Sequence, residues 1–254
     1  MRKTIALCLA LAFFACRWSL DPKPRHRIIV FADLTMSLTP DAADTVQNTV
    51  NAIVDDAPGG TQLYIIPICE NTQGVRSIVA DVPSPGITKK DRDDAMAKRA
   101  TLKIRIAALF SQIRGTHAVT SEYASCISPG LRIVDNLTRA DDKTTVWKTD
   151  AVFVSDMIEE CRASVLGQPV RLKLSNHQFA DANRFVNGKG LLMNLRSVRA
   201  VVILPRANGE LKLDEPLPTD LQSFWEHLFA RSGVIGQRVW WDADPSQYIA
   251  SLRH

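Results

Sequence analysis

The chain has 254 residues, 46% of them hydrophobic and 23% charged, with a net charge of +4. That length and balance suit one α/β domain with a full core, and they exclude a disordered, collagen-like or coiled-coil chain. Two of the cations, Arg2 and Lys3, belong to the extreme N-terminus, so the body is nearly neutral and nothing in it argues for a nucleic-acid partner.

Met1-Arg2-Lys3 is a short basic start, and Ile5 to Ala15 is an uncharged, almost wholly apolar run. The run is too short to span a bilayer as a helix and has the length of the apolar region of an export signal. Ala15-Cys16 resembles a bacterial lipoprotein cleavage box, which makes Cys16 the candidate lipidation site. Phe13 and Phe14 depart from that box, and Ala10-Leu11-Ala12 offers another cut. Residues 1–16 therefore read as a signal peptide, 17–27 as a Pro-containing tether, and 28–254 as the folded body. The expected location is the exported, periplasmic side of a bacterial cell envelope, with membrane contact only through a lipid anchor. Cys69, Cys126 and Cys161 then meet an oxidising compartment and allow at most one internal disulfide and one spare thiol.

Arg27 to Asp33 is a continuous apolar run ending in an acid, the pattern of a strand buried on both faces. Thr39-Pro40-Asp41 opens a helix carrying Val46, Val50, Ile53 and Val54, and Pro58-Gly59-Gly60 ends it. Thr61 to Ile68 reads as a second strand and Val75 to Val82 as a third, at an edge. A long helix is expected from Lys89 to Ile113, stopped by Gly115, and another from Ser121 to Leu137, kinked at Pro129-Gly130. Ala151 to Asp156 repeats the first pattern, a short apolar run ending in an acid. Val170 to Leu174 reads as a short strand, His177 to Val186 as a helix, Val198 to Leu204 as a strand, Asp220 to Arg231 as a helix and Gln237 to Trp241 as a last strand. Residues 157–198 exceed a tight crossover and read as an insertion. Strands alternating with helices predict a doubly wound, mostly parallel sheet with helices on both faces.

Ligands of such sheets gather at the carboxyl ends of the strands. Asp33 and Asp156 sit at two such ends. Thr35 and Ser37 follow Asp33 at two-residue spacing, so the three side chains can converge on one point. Oxygen donors with few carboxylates suit a hard cation such as Mg²⁺. Asp33-Leu34-Thr35-Met36-Ser37 is similar to the Asp-x-Ser-x-Ser motif of the von Willebrand factor type A domain, with Thr in the first Ser place. That family adds a Thr from a later loop, matched by Thr120 with Thr116 and Ser121 as competitors, and an Asp after its fourth strand, matched by Asp156. The resemblance implies a metal-ion-dependent adhesion site. In it Thr35, Ser37 and Thr120 would touch the metal, and Asp33 and Asp156 would hold metal-bound waters. Mg²⁺ is the expected ion, with Mn²⁺ and Ca²⁺ as alternatives, and a protein partner would offer an acidic side chain to its open position. Met36 stands where the family often has Gly, which opens a second reading: the same fold with a metal-free site.

Enzymatic alternatives are poorly matched. There is no Gly-x-Ser-x-Gly elbow, no phosphate-binding Gly-rich loop and no His-Glu-x-x-His. A phosphatase of the haloacid dehalogenase type wants a second Asp where Thr35 stands. Of the five histidines, His117 is notable for its expected place in the site loop. The expected protein is therefore a non-enzymatic binding module, with a metal-dependent hydrolase or phosphatase as the weaker alternative.

Overall fold

A computed structural model describes residues 24–253 except 35–39, 70–71, 73, 118–125, 142–144, 158–159, 162–163, 166–167, 170–171, 174–192, 205–218, 235–238 and 243–244. At its centre is a sheet of six strands: β1 (Arg25–Asp33), β2 (Gln62–Ile68), β3 (Ile78–Asp81), β4 (Trp147–Val154), β5 (Val198–Ile203) and β6 (Val239–Asp242). Their order is β6-β5-β4-β1-β2-β3. Every pairing is parallel except that of β2 with β3, which is antiparallel. Among the described residues, five helices flank the sheet: α1 (Pro40–Asp56), α2 (Lys89–His117), α3 (Ser128–Arg139), α4 (Thr219–Arg231) and α5 (Ser246–Leu252).

The strands read as unbroken apolar runs because both faces are covered. Successive side chains of β1 alternate between two cores. Ile29 and Phe31 join Ala151 and Phe153 of β4 under α3 and α4, against Leu131, Val134, Trp225 and Phe229. Ile28, Val30 and Ala32 join Val152 and Val154 under α1, α2 and α5, against Val50, Ile53, Ile106, Phe110 and Tyr248. Helices on both faces make the fold the doubly wound α/β class.

Several elements differ from expectation, beginning with β1, which starts at Arg25 and takes in Arg25–Arg27 from the expected tether. Helix α2 runs through Gly115 to His117. A lone Gly weakens a helix by about 1 kcal/mol and does not by itself end it. Helix α3 begins at Ser128 with Pro129 in its first turn, so the proline starts the helix instead of kinking it. There its missing N–H leaves no hydrogen bond unmade. Gly130 is needed for closeness: a Cβ at that position would lie 2.9 Å from Cε1 of Phe31. Of the residues 170–174, where a strand was expected, the described Leu172–Lys173 pairs antiparallel with Glu160–Cys161 outside the main sheet. Beside it, Ser164–Val165 pairs with Gln168–Pro169. Helix α5 was not expected from the sequence. Residues 177–186, where a helix was expected, lie outside the described residues.

Candidate functional site

The strand order reverses at the seam between β1 and β4. From β1 the chain builds outward through β2 and β3, and from β4 it builds outward on the other side. Loops leave the carboxyl ends of two such strands in opposite directions, which opens a crevice where ligands of these sheets bind. The register pairs Phe31 with Phe153 and Ala32 with Val154. The two phenyl rings stack at a centroid distance of 4.9 Å and lock that register. One step further, Asp33 and Ser155 meet at the crevice.

Both are fully buried. Ser155 Oγ donates to Asp33 Oδ2 at 2.7 Å and accepts the Met157 N–H at 3.0 Å. With its acceptor side taken by the backbone, the hydroxyl proton is directed at the carboxylate. Met157 has φ 62, a left-handed conformation uncommon for a side-chain-bearing residue. Its carbonyl accepts Trp225 Nε1 at 2.9 Å, which ties the turn after β4 to α4. A bend of this kind costs energy and is held by the surrounding bonds. It places Asp156 half-exposed at the crevice, while the serine beside it meets Asp33.

The structure thus brings Asp33 to the β1–β4 seam and Asp156 to the adjoining turn. Thr35, Ser37, Thr120 and the competitor Ser121 lie outside the described residues, as does Cys16. Thr116 and His117, expected in the site loop, are the last residues of α2. Ser155, which was not among the expected site residues, directly follows the apolar run that ends at Val154. Among the described residues no group of three or more His, Cys, Asp or Glu side chains converges. The members of the expected cation set that are described, Asp33 and Asp156, offer carboxylate oxygens. That donor chemistry fits a hard ion of the Mg²⁺ type.

A second polar cluster lies at the opposite, amino end of the same strands, about 20 Å away along β1. Asp150 is embedded in β4, and its side chain is 5% exposed. Arg199 of β5 grips it with two nitrogens, Nε at 2.8 Å and Nη2 on Oδ2. His26 Nε2 lies 3.1 Å from Oδ2, and the Tyr248 hydroxyl of α5 donates to it at 3.1 Å. Burial pushes the Asp150 carboxyl up, but hydrogen bonds and charge from His26 and Arg199 outweigh it and hold the group below its ordinary value. Burial, then the Asp150 carboxylate, keep the Tyr248 hydroxyl protonated well above the usual tyrosine range. The sequence carried a signal for this cluster: an acid directly before the apolar run of β4 and a base inside the apolar run of β5, which face each other in register.

Cys69 is buried, and Cys126 is disulfide-bonded. Thr72 Oγ1 bridges their backbones, bonding the Cys69 carbonyl at 2.9 Å and the Cys126 carbonyl at 2.7 Å. Among the described residues, no helix is long and apolar enough to cross a membrane.

No protein-family model matches the chain, and no curated protein matches it. Among solved structures it is similar to a von Willebrand factor type A protein from Catenulispora acidiphila. The identity is 12%, the alignment covers 91% of this chain and 41% of that one, and the TM-score is 0.43. The pilus adhesin SpaC from Lactobacillus rhamnosus GG, in its open conformation, is 10% identical, with coverage of 91% and 29% and a TM-score of 0.40. The manganese-loaded TRAP protein of Plasmodium vivax is 10% identical, with coverage of 92% and 75% and a TM-score of 0.42. The chain spans less than half the length of the first two. At these identities a likeness concerns fold alone, and the fold class rests on the strand order and the two covered faces described above.

Proposed function

We propose that this chain is an exported, non-enzymatic binding module of the von Willebrand factor A type. It binds a protein partner through a Mg²⁺-type cation, with Mn²⁺ and Ca²⁺ as alternatives. Asp33, Thr35, Ser37, Thr120 and Asp156 would hold the ion, and the partner would supply a carboxylate. The observation that carries this reading is the buried Asp33 at the β1–β4 seam, oriented by Ser155 with Asp156 on the next turn. The motif Asp33-x-Thr35-x-Ser37 begins at that seam. Export is supported by the basic start and apolar run of residues 1–16, and by the disulfide at Cys126, a bond that persists in oxidising compartments. On this reading the protein sits at the periplasmic side of a bacterial envelope, anchored through Cys16.

Calorimetric titration with Mg²⁺ and Mn²⁺ tests the proposal, using wild type, Asp33→Asn and Asp156→Asn. The isosteric substitutions keep the buried shape of the seam. Cation binding by wild type that is lost in both folded variants supports the reading. Absence of binding by wild type sinks it and leaves a metal-free interaction scaffold of the same fold. That second reading draws on Asp33 being fully buried with one oxygen already bonded to Ser155. Turnover of a generic phosphate ester by wild type would overturn the non-enzymatic assignment.

A further inference from the structure

Helix α2 carries apolar residues on both of its faces. Inward, Leu102, Ile106, Leu109, Phe110 and Ile113 are buried in the core shared with β1 and α1. Outward, Ala97, Ala100, Ile104, Ala107 and Ser111 follow at alternating spacings of three and four, which sets them in one line along the helix, and all five are exposed. Ile104 is 70% exposed, and Met96, beside the start of the line, is 63% exposed. A surface helix ordinarily carries charges on that face, and here the line holds none from Ala97 to Ser111. The cations of this stretch are turned aside. Arg99 donates to the carbonyls of Val54, Asp55, Ala57 and Pro83, and Lys103 pairs with Asp55 at 2.8 Å, while Lys98 and Arg105 fall on the other flank. The same bonds fix α2 on α1, so the line is a rigid platform. Charge bounds it at both ends. Asp93, exposed, stands one turn before Ala97, and Arg114 follows Ser111. Arg114 donates to the Ala43 carbonyl at 3.0 Å and reaches Asp44 only at 3.8 Å, with its side chain 38% exposed.

We propose that the outward face of α2 pairs antiparallel with α2 of a second copy of this chain, about a two-fold axis at Ile104. The line reads alike in both directions: Ala100 and Ala107 flank Ile104, and Ala97 and Ser111 come next. Turned end for end it meets itself, small side chain on small side chain and Ile104 on Ile104, which is the self-complementarity a two-fold contact requires. Side chains this small let two helix axes approach to about 8 Å. The same register sets Asp93 of each copy opposite Arg114 of the other, at both ends of the line. A parallel pair would instead set like charges together. The contact is small. From Asp93 to Arg114 the helix is about 33 Å long and about 10 Å wide, so it covers roughly 330 Å² per copy. A standard stable interface covers about 800 Å² per partner, so this pair is a weak, transient dimer. It uses neither Asp33 nor Asp156, and it stands or falls apart from the cation site.

The test follows the full chain by sedimentation velocity at concentrations up to about 0.5 mM, where a weak pair is populated. Wild type is compared with Ile104→Lys, Asp93→Arg and Ile87→Lys; all three side chains are exposed, so the fold survives the changes. Association through the apolar run of residues 5–15 is common to all four proteins and cancels. Wild type is expected to form a concentration-dependent dimer. Ile104→Lys sets two cations together on the axis and should weaken it at least about tenfold. Asp93→Arg faces Arg114 of the second copy and should weaken it about threefold at low salt. Ile87→Lys, before the helix and off the line, should leave it unchanged. A wild type that stays monomeric, that pairs no better than Ile104→Lys, or that loses as much through Ile87→Lys overturns the proposal. A dimer indifferent to Asp93→Arg overturns the antiparallel register.

Discussion

Replacing Asp150 with asparagine keeps the shape of the side chain and removes the charge that three elements share. Arg199 would lose its bidentate partner, and His26 and Tyr248 would lose a charged acceptor. Breaking a buried ion pair from one side costs about 3–5 kcal/mol, because the other charge stays behind uncompensated. Arg199 and His26 are 27% and 22% exposed, so water recovers part of that cost and the lower end, about 3 kcal/mol, applies. In a protein of this size that is a fall in Tm of about 6–12 °C. Urea unfolding followed by circular dichroism at neutral pH should show a lower midpoint with an unchanged slope. The pH dependence has a defined sign. The folded-state pKa of Asp150 lies below the unfolded value, so its contribution is complete above about pH 4 and fades as pH falls through the lower folded pKa. The asparagine variant should lack that acid-limb loss. Removing the arginine as well, Asp150→Asn with Arg199→Met, should cost less than Asp150→Asn alone, since the Arg199 charge is no longer stranded and the amide oxygen still accepts from Tyr248. A single-variant loss below about 1 kcal/mol, or a double variant worse than the single, would refute the account of this cluster.

Ser155→Ala removes the donor to Asp33 and the acceptor of the Met157 N–H, both buried, and should destabilise by about 1–3 kcal/mol in denaturant unfolding. A variant as stable as wild type would mean that Asp33 finds another partner at the seam. Gly130→Ala gains up to about 1 kcal/mol of helix propensity but presses a Cβ against Phe31, which is stacked on Phe153 and cannot retreat. Overpacking of about 1–3 kcal/mol should win, so the variant melts lower. A higher melting temperature would show that α3 can lift from β1.

The α/β class was legible in the sequence because β1 and β4 are short unbroken apolar runs between helical patterns. A strand covered on both faces has no polar side to show, and the local pattern records that. Pro40 and Pro58-Gly59-Gly60 likewise marked the ends of α1, because proline and glycine act on the backbone where they stand. Asp33 was legible as the acid that ends a buried strand. The signals at Gly115 and Pro129 misled because their effect depends on neighbours. Gly115 has open space around it, and Pro129 became the start of a helix once that helix packed on Phe31. Helix α5 is only seven residues long, too short to declare itself, and it is held by burying Tyr248, Ile249 and Leu252. What no local pattern carries is which strands adjoin. The pairing of β1 with β4 joins residues more than a hundred positions apart, and that register sets Ser155 on Asp33 and His26 beside Asp150, while the β4–β5 register adds Arg199 and the packing of α5 adds Tyr248. The sequence by itself determined the layers and the acid at the strand end. The tertiary structure decided the partners, because a side chain's neighbours across a sheet are set by strand order and register, which are properties of the whole chain.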